Sequence, residues 1–266
     1  MAGTALRGRL TWQSATVTAV MDETPSTRTI SLSVPDWPGH RAGQHVDIRL
    51  TAEDGYQAER AYSIASAPGE DLALTVERLD DGEVSPYLTG ELRAGDILEV
   101  RGPIGGYFVW ETGFGGPLLL LAGGSGVVPL RSILRHRALS GSPVQARLLY
   151  SSRSWADVIY RAELGGLAEG VSVVYTLTGS QPPGWTGYAR RVDAPMLAEV
   201  AWPAAPSPSG SPSGSGSPSG SGSPAGGPLA YVCGPTSFVE SVAAGLVGLG
   251  YPAERVKTER FGATGG

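Results

Sequence analysis

Arg60-Ala61-Tyr62-Ser63 places an arginine, an aromatic ring and a hydroxyl within four positions. A guanidinium fork pairs with a pyrophosphate, an aromatic side chain lies against a flat heteroaromatic ring, and a hydroxyl donates to a ring nitrogen. In an extended strand Arg60 and Tyr62 share one side and Ser63 faces the other, so a long cofactor running along the strand meets all three. A surface arginine beside a core tyrosine is the plainer reading of the same residues. Further on, Gly82-Glu83-Val84-Ser85 is a glycine turn leading into a short helix. Free amides and the Ser85 hydroxyl at a helix start make a phosphate seat, and an ordinary capped turn is the alternative.

The third chemically suggestive stretch is Gly123-Gly124-Ser125-Gly126, followed by Pro129. It sits between an apolar run and a helical stretch, where glycines let a backbone approach a pyrophosphate whose charge the helix start favours. Its spacing is not the GxGxxG dinucleotide fingerprint. Alone it reads equally as a plain strand-to-helix turn.

The elements that must position these residues fall into two rhythms. Leu10–Val20, Arg28–Val34, His45–Leu50, Tyr62–Ala65, Leu72–Arg78 and Ile97–Val100 read as short strands separated by Gly, Pro and Asp turns. Six such segments predict a closed antiparallel barrel, with one short helix at Ser85–Leu88. After Gly113–Pro117 strands and helices alternate. Strands are expected at Leu118–Ala122, Arg147–Tyr150, Val171–Leu177, Ala230–Cys233 and Val256–Phe261. Helices are expected at Val128–Leu139, Ala156–Leu167, Ala194–Ala201 and Phe238–Leu249. This pattern predicts a parallel five-stranded α/β sheet. Residues 203–228 contain only Ala, Pro, Ser and Gly. Lacking large apolar side chains and charge, they read as a disordered insertion within the second half; a partner-binding segment is the alternative.

Composition narrows the chemistry. A formal charge of −5 argues against a nucleic-acid binder. The single cysteine, Cys233, excludes an intrachain disulfide and an iron–sulfur cluster held by this chain alone. His40, His45 and His136 show no metal-ligand spacing, so no metal site is expected. There is no apolar run of membrane-spanning length and no apolar leader, which makes a cytoplasmic location the default expectation.

Taken together and in order, these motifs resemble the ferredoxin–NADP reductase superfamily over nearly the whole chain. Arg60-Ala61-Tyr62-Ser63 matches its RxYS flavin motif, Gly82–Ser85 its GxxS turn, and Gly123–Gly126 with Pro129 its GGxGxxP nucleotide loop. Cys233-Gly234-Pro235 matches its CGP motif, and Glu259-Arg260-Phe261 resembles its terminal acidic–x–aromatic element. The resemblance implies an FAD-binding barrel domain over 1–113 and an NAD(P)-binding domain over 114–266.

It also implies roles. Arg60 would bind the FAD pyrophosphate, Tyr62 would stack on the isoalloxazine, and Ser63 would sit near flavin N5. Gly82, Val84 and Ser85 would hold flavin phosphates, while Gly123, Gly124, Ser125, Gly126 and Pro129 would cradle the nicotinamide nucleotide. Cys233, with Gly234 and Pro235, would lie beside the nicotinamide C4. Glu259 would order the reacting rings and Phe261 would cover the other flavin face. Ser63, Cys233 and Glu259 are thus the expected catalytic set. Family members commonly read the NADP 2′-phosphate with a Ser-Arg pair where this chain has Thr178-Gly179. Arg153 and Arg190-Arg191 are the candidate replacements, and NADPH is favoured over NADH.

The implied function is an FAD-dependent NAD(P)H oxidoreductase that passes electrons to an external ferredoxin, flavodoxin or oxygenase component. Reduction of free flavin or ferric chelates, a non-catalytic flavin-binding subunit of a larger complex, and a nucleotide-binding protein without flavin are the alternatives.

Overall fold

The computed structural model describes residues 10–204 and 227–261. Most of the expected insertion, residues 205–226, and the tail at 262–266 lie outside the described residues.

Alternation of apolar and polar side chains builds the first sheet. Its strands are β1 (Gln13–Thr24), β2 (Thr27–Ser33), β3 (His45–Thr51), β4 (Gln57–Ser63), β5 (Leu72–Glu77) and β6 (Ile97–Ile104), in the order β4-β3-β6-β1-β2-β5. All its ladders are antiparallel. The inward set includes Ala15, Val17, Ile30, Leu32, Val46, Ile48, Leu74 and Val76, and Leu88 of helix α1 (Ser85–Gly90) packs into it. Burying each such aliphatic side chain contributes ~1.5–3 kcal/mol. Among the described residues, the chain just past edge strand β4 bridges to edge strand β5 at Ile64–Leu74, and the Ala65 amide donates to the Ala73 carbonyl at 2.8 Å.

Strand β4 differs from expectation. It begins at Gln57 and ends at Ser63, so Arg60-Ala61-Tyr62-Ser63 closes the strand instead of opening one. The pairing of Thr51 with Gln57 across the hairpin starts the ladder early.

The second sheet is parallel: β7 (Leu118–Gly123), β8 (Ala146–Ser152), β9 (Val171–Leu177), β10 (Leu229–Pro235) and β11 (Val256–Phe261), ordered β11-β10-β7-β8-β9. Central β7 is buried throughout, because Leu118, Leu120 and Ala122 pack to one side and Leu119 and Leu121 to the other. Such a strand reads as a continuous apolar run. Helices α2 (Val127–Leu139), α3 (Arg161–Leu164), α4 (Ala194–Val200) and α5 (Thr236–Gly248) complete this half.

The helix expected over Ala156–Leu167 shrinks to the single turn of α3. Three local features displace it. Ser154 Oγ donates to Asp157 Oδ2 at 2.7 Å, the Ile159 amide donates to Tyr150 Oη at 3.2 Å, and Tyr160 takes a left-handed φ of 59°. A left-handed residue cannot continue a right-handed helix.

The halves are tied along one seam. From α2, Arg131 Nη1 donates to the Ala65 carbonyl at 3.1 Å and Ser132 Oγ to the Ser66 carbonyl at 2.7 Å. Arg135 forks onto Glu70 and also meets Glu163 at 3.1 Å. Tyr231 Oη donates to the Val109 carbonyl at 2.8 Å. The Arg131 and Ser132 bonds grip the peptide two and three residues after Ser63 from the helix that follows the Gly123–Gly126 loop. No helix among the described residues is long and apolar enough to cross a membrane.

Candidate active site at the domain seam

The parallel sheet reverses its winding between β7 and β10, and their carboxyl ends open a crevice of the kind where open α/β sheets bind ligands. Two glycine-bearing turns fill that spot backbone to backbone. A Cβ on Gly126 would stand 2.1 Å from the Cys233 carbonyl oxygen, and one on Gly234 would stand 3.2 Å from Gly123 Cα. Gly124 takes φ +56°, which glycine adopts without strain. The structure thus brings Gly123–Gly126 and Cys233–Pro235 together into a single cradle. Pro129 lies buried in the first turn of α2. Phe238 packs its ring under both turns.

Cys233 is fully buried and stands in register with Glu259 on β11. Burial first, and the neighbouring Glu259 charge second, push its thiol up, so it serves as a neutral, compact side chain. Glu259 is about a quarter exposed, and its Oε2 has no hydrogen-bond partner. Burial raises its pKa to about 7. Phe261 pairs in register with Pro235 and is 37% exposed.

The barrel meets this group through β3 and β4. His45 Nδ1 lies 3.8 Å from Glu259 Oε1, and His45 is the ladder partner of Ser63. Burial lowers the His45 pKa, with Asp47 opposing the shift. Gln44 braces the turn: its Nε2 donates to the Gly105 carbonyl at 2.6 Å, and its carbonyl accepts from the Ile64 amide at 2.9 Å. Ser63, Glu259 and Cys233 therefore converge, with His45 as the link that motif reading missed. The β3–β4 register places it there, and local sequence carries no signal of that register.

Arg60 and Tyr62 share the face of β4 expected for them, and Tyr62 packs against the barrel core. Arg60 Nη2 donates to Glu83 Oε2 at 2.5 Å, and Tyr56 Oη donates to Glu83 Oε1 at 2.5 Å. Arg60 is thus brought to the Gly82–Ser85 turn. The Ser85 hydroxyl, however, is engaged inside that turn, accepting from the Leu79 amide at 3.0 Å, and Val84 is fully buried. What the turn presents to an anion is its backbone and Arg60.

Arg153 and Arg191 are both exposed. The Arg153 carbonyl accepts from the amides of Gly179 and Ser180 at 2.8 and 3.1 Å, which fixes that loop at the carboxyl ends of β8 and β9. Neighbouring Arg190 instead pairs with Asp193 at 2.6 Å. Among the described residues no group of three or more His, Cys, Asp or Glu side chains is placed to hold a metal ion.

An antiparallel barrel abutting a parallel sheet, with a glycine cradle at the sheet's switch point, defines a two-domain nucleotide-binding oxidoreductase. Residues 14–109 match the oxidoreductase FAD-binding domain family and residues 120–244 the oxidoreductase NAD-binding domain family. The chain is 35% identical over 260 residues to ferredoxin–NADP reductase B of Sorangium cellulosum, covering 93% of this chain and 96% of that protein. It is 31% identical to the ferredoxin reductase component of 3-ketosteroid-9-alpha-monooxygenase from Rhodococcus rhodochrous. That match takes in 94% of this chain but 65% of the longer relative. Among solved structures, the cytochrome P450 reductase of Amycolatopsis superposes with a TM-score of 0.76 at 26% identity, covering 98% of this chain and 74% of that one. The FAD/NAD-binding domain of nitric oxide dioxygenase from Vibrio cholerae shares the fold, with a TM-score of 0.77 at 23% identity and coverage of 94% and 98%.

The chain belongs to the FAD- and NAD-binding oxidoreductases of the ferredoxin–NADP reductase superfamily. Its residues fit the two dinucleotides that such a protein holds. Arg60 offers a guanidinium beside a glycine turn, Gly126 and Gly234 leave no room for a Cβ where the paired turns meet, and a buried Glu259 oxygen lacks a hydrogen-bond partner within the protein.

Proposed function

We propose that the chain is a reductase that takes a hydride from NADPH onto bound FAD and passes the electrons to an external ferredoxin or oxygenase component. The observation that carries this reading is the meeting of Ser63, through His45, with Glu259 and Cys233 across the seam. FAD would supply the hydride-accepting and electron-releasing chemistry. The chain's own residues orient, exclude water and hold protons. Arg60 anchors the phosphates of FAD, Tyr62 offers its ring, and the paired glycine turns seat the nicotinamide nucleotide. Neutral Cys233 packs without introducing charge. Glu259 and His45 hold exchangeable protons beside the place where charge changes, in surroundings that favour their uncharged forms.

The preference for NADPH rests on Arg153, exposed where β8 ends, with Ser151 and Ser152 before it and no carboxylate at that strand end. A guanidinium there suits a 2′-phosphate, whereas a 2′-hydroxyl is usually read by an acidic residue. An external acceptor accords with relatives named as reductase components of monooxygenases.

Anaerobic titration of the purified, flavin-loaded chain with NADPH and separately with NADH tests the reading. Bleaching of the flavin band at about one equivalent of NADPH is expected, followed by recovery on adding an oxidised ferredoxin. A chain that purifies without flavin and does not take up FAD would overturn it.

A further inference from the structure

We propose that Tyr160 is a positioning residue for hydride transfer, acting as a peg that sets the nucleotide-binding sheet against the barrel. The inference rests on the reductase reading above. Tyr160 ends the loop that begins at Arg153, and it is the one non-glycine residue with positive φ among the described residues. It is buried to 3% exposure, yet its phenol does not stay within its own domain. Tyr160 Oη donates to Thr75 Oγ1 on barrel strand β5. Thr75 Oγ1 lies 2.8 Å from Thr29 Oγ1, and Thr29 Oγ1 donates to Glu23 Oε1 at 2.7 Å. Because the Tyr160 proton goes to Thr75 and the Thr29 proton to Glu23, Thr75 must donate to Thr29. The result is a one-way chain of hydroxyls from the nucleotide domain through the barrel wall to a carboxylate.

Arg131 caps the peg. Its guanidinium carbon sits 4.4 Å from the Tyr160 ring centroid, while Nη1 holds the Ala65 carbonyl and Nε holds Glu163. The loop therefore has its candidate 2′-phosphate reader at one end and its bolt to the barrel at the other. Thr75 also stands two residues before Glu77, whose carboxylate lies 3.8 Å from where a Cβ on Gly124 would be. Hydrogen bonds are directional, so a slide of the halves past each other breaks this line before it breaks apolar packing. A misplacement of about 1 Å at the reacting atoms costs about a hundredfold in rate.

Tyr160→Phe keeps the ring and its contact with Arg131, and it leaves Thr75 free to donate to Thr29. The matched control is Tyr251→Phe, an equally buried phenol that donates to the Trp202 carbonyl at 2.7 Å, away from the seam. In anaerobic stopped-flow at saturating nucleotide, flavin bleaching in Tyr160→Phe should slow about tenfold or more. Half-saturating nucleotide and FAD retention should stay within about twofold of wild type if only geometry is changed. In the flavin-free chain, amide hydrogen exchange at residues 65–75 and 131–135 should accelerate in Tyr160→Phe and not in Tyr251→Phe. Bleaching at the wild-type rate, equal slowing in the control, or unchanged exchange at the seam would each overturn the proposal. A wild-type chain whose flavin neither nucleotide bleaches refutes the reductase reading instead, and the exchange comparison still judges the peg.

Discussion

His45 Nδ1 on the barrel stands 3.8 Å from Glu259 Oε1 on the last strand of the parallel sheet, and burial drives both groups toward their uncharged forms. A carboxyl raised from 4.5 to about 7 is still protonated in the folded chain when the unfolded chain has already ionised. Between those two values stability falls as pH rises, and above them the cost is constant. For His45 the sign is reversed: its lowered pKa costs stability as pH falls below the ordinary histidine value of 6.5. Glu259→Gln removes the first effect only. It should be more stable than wild type at pH 8 by ~1–3 kcal/mol and about equal at pH 4.5, by denaturant unfolding across a pH series.

Gly126 has the least room of the nucleotide-loop glycines. Gly126→Ala would drive a methyl to within 2.1 Å of the Cys233 carbonyl oxygen. The β7 and β10 turns would part, at a cost of ~1–3 kcal/mol in stability. Calorimetric titration should show NADPH binding weakened far more than FAD binding, since the cradle and not the barrel is spread.

An anion bound by Arg60 would have to compete with Glu83, which already occupies its fork at 2.5 Å. Arg60→Ala should lose FAD on gel filtration, with affinity reduced by about ten- to a hundredfold, the equivalent of one charge-assisted hydrogen bond of ~1.5–3 kcal/mol. Glu83→Gln should act in the opposite direction and tighten FAD binding, since it frees the guanidinium and removes a like charge from beside the phosphates. Fluorescence quenching of added FAD measures both.

Arg153→Ala should raise the half-saturating NADPH concentration about tenfold or more and leave NADH nearly unchanged, if one guanidinium–phosphate contact is lost. Parallel titrations with the two nucleotides give the ratio directly.

Excision of residues 205–226, replaced by a short Gly-Ser link, should leave flavin bleaching and melting temperature unchanged. Both flanks are clamped by the domain itself. Arg147 stacks 3.5 Å from the Trp202 ring centroid, Tyr251 holds the Trp202 carbonyl, and Arg255 holds the carbonyls of Gly227 and Pro228 at 2.5 and 3.0 Å. The clamps sit where β10 begins, at Leu229 opposite Leu118, while the cradle lies where β10 ends.

The two sheets were legible because their strands carry unambiguous patterns, alternating in Val46–Ile48 and continuous in Leu118–Ala122. The glycine turns were legible because few residue types tolerate such backbone approach. Less visible were features set by tertiary partners. The apolar spacing of Ala156–Leu167 suits a helix, but the Tyr150 phenol takes the Ile159 amide, the Tyr160 phenol reaches out to Thr75, and the segment is held as a loop. Ser85 had the sequence position of a phosphate donor, yet its hydroxyl closes its own turn. His45 carried no motif at all. Only strand register, which local sequence does not fix, sets it opposite Ser63 and near Glu259.

Among the described residues the barrel closes just past β4, at Ile64–Leu74 and Ala65–Ala73, and one long margin of β4 has no neighbouring strand. Along Gln57–Ser63 the peptide groups on that margin have no ladder partner, although the Glu59 carbonyl already accepts from Arg60 Nη1 at 2.8 Å. A ribityl chain or phosphate lying beside the strand would find backbone donors and acceptors at the spacing of a missing stave. If a cofactor lies there, the gap in the cylinder would take part in holding it through backbone groups, whatever side chains happen to flank them.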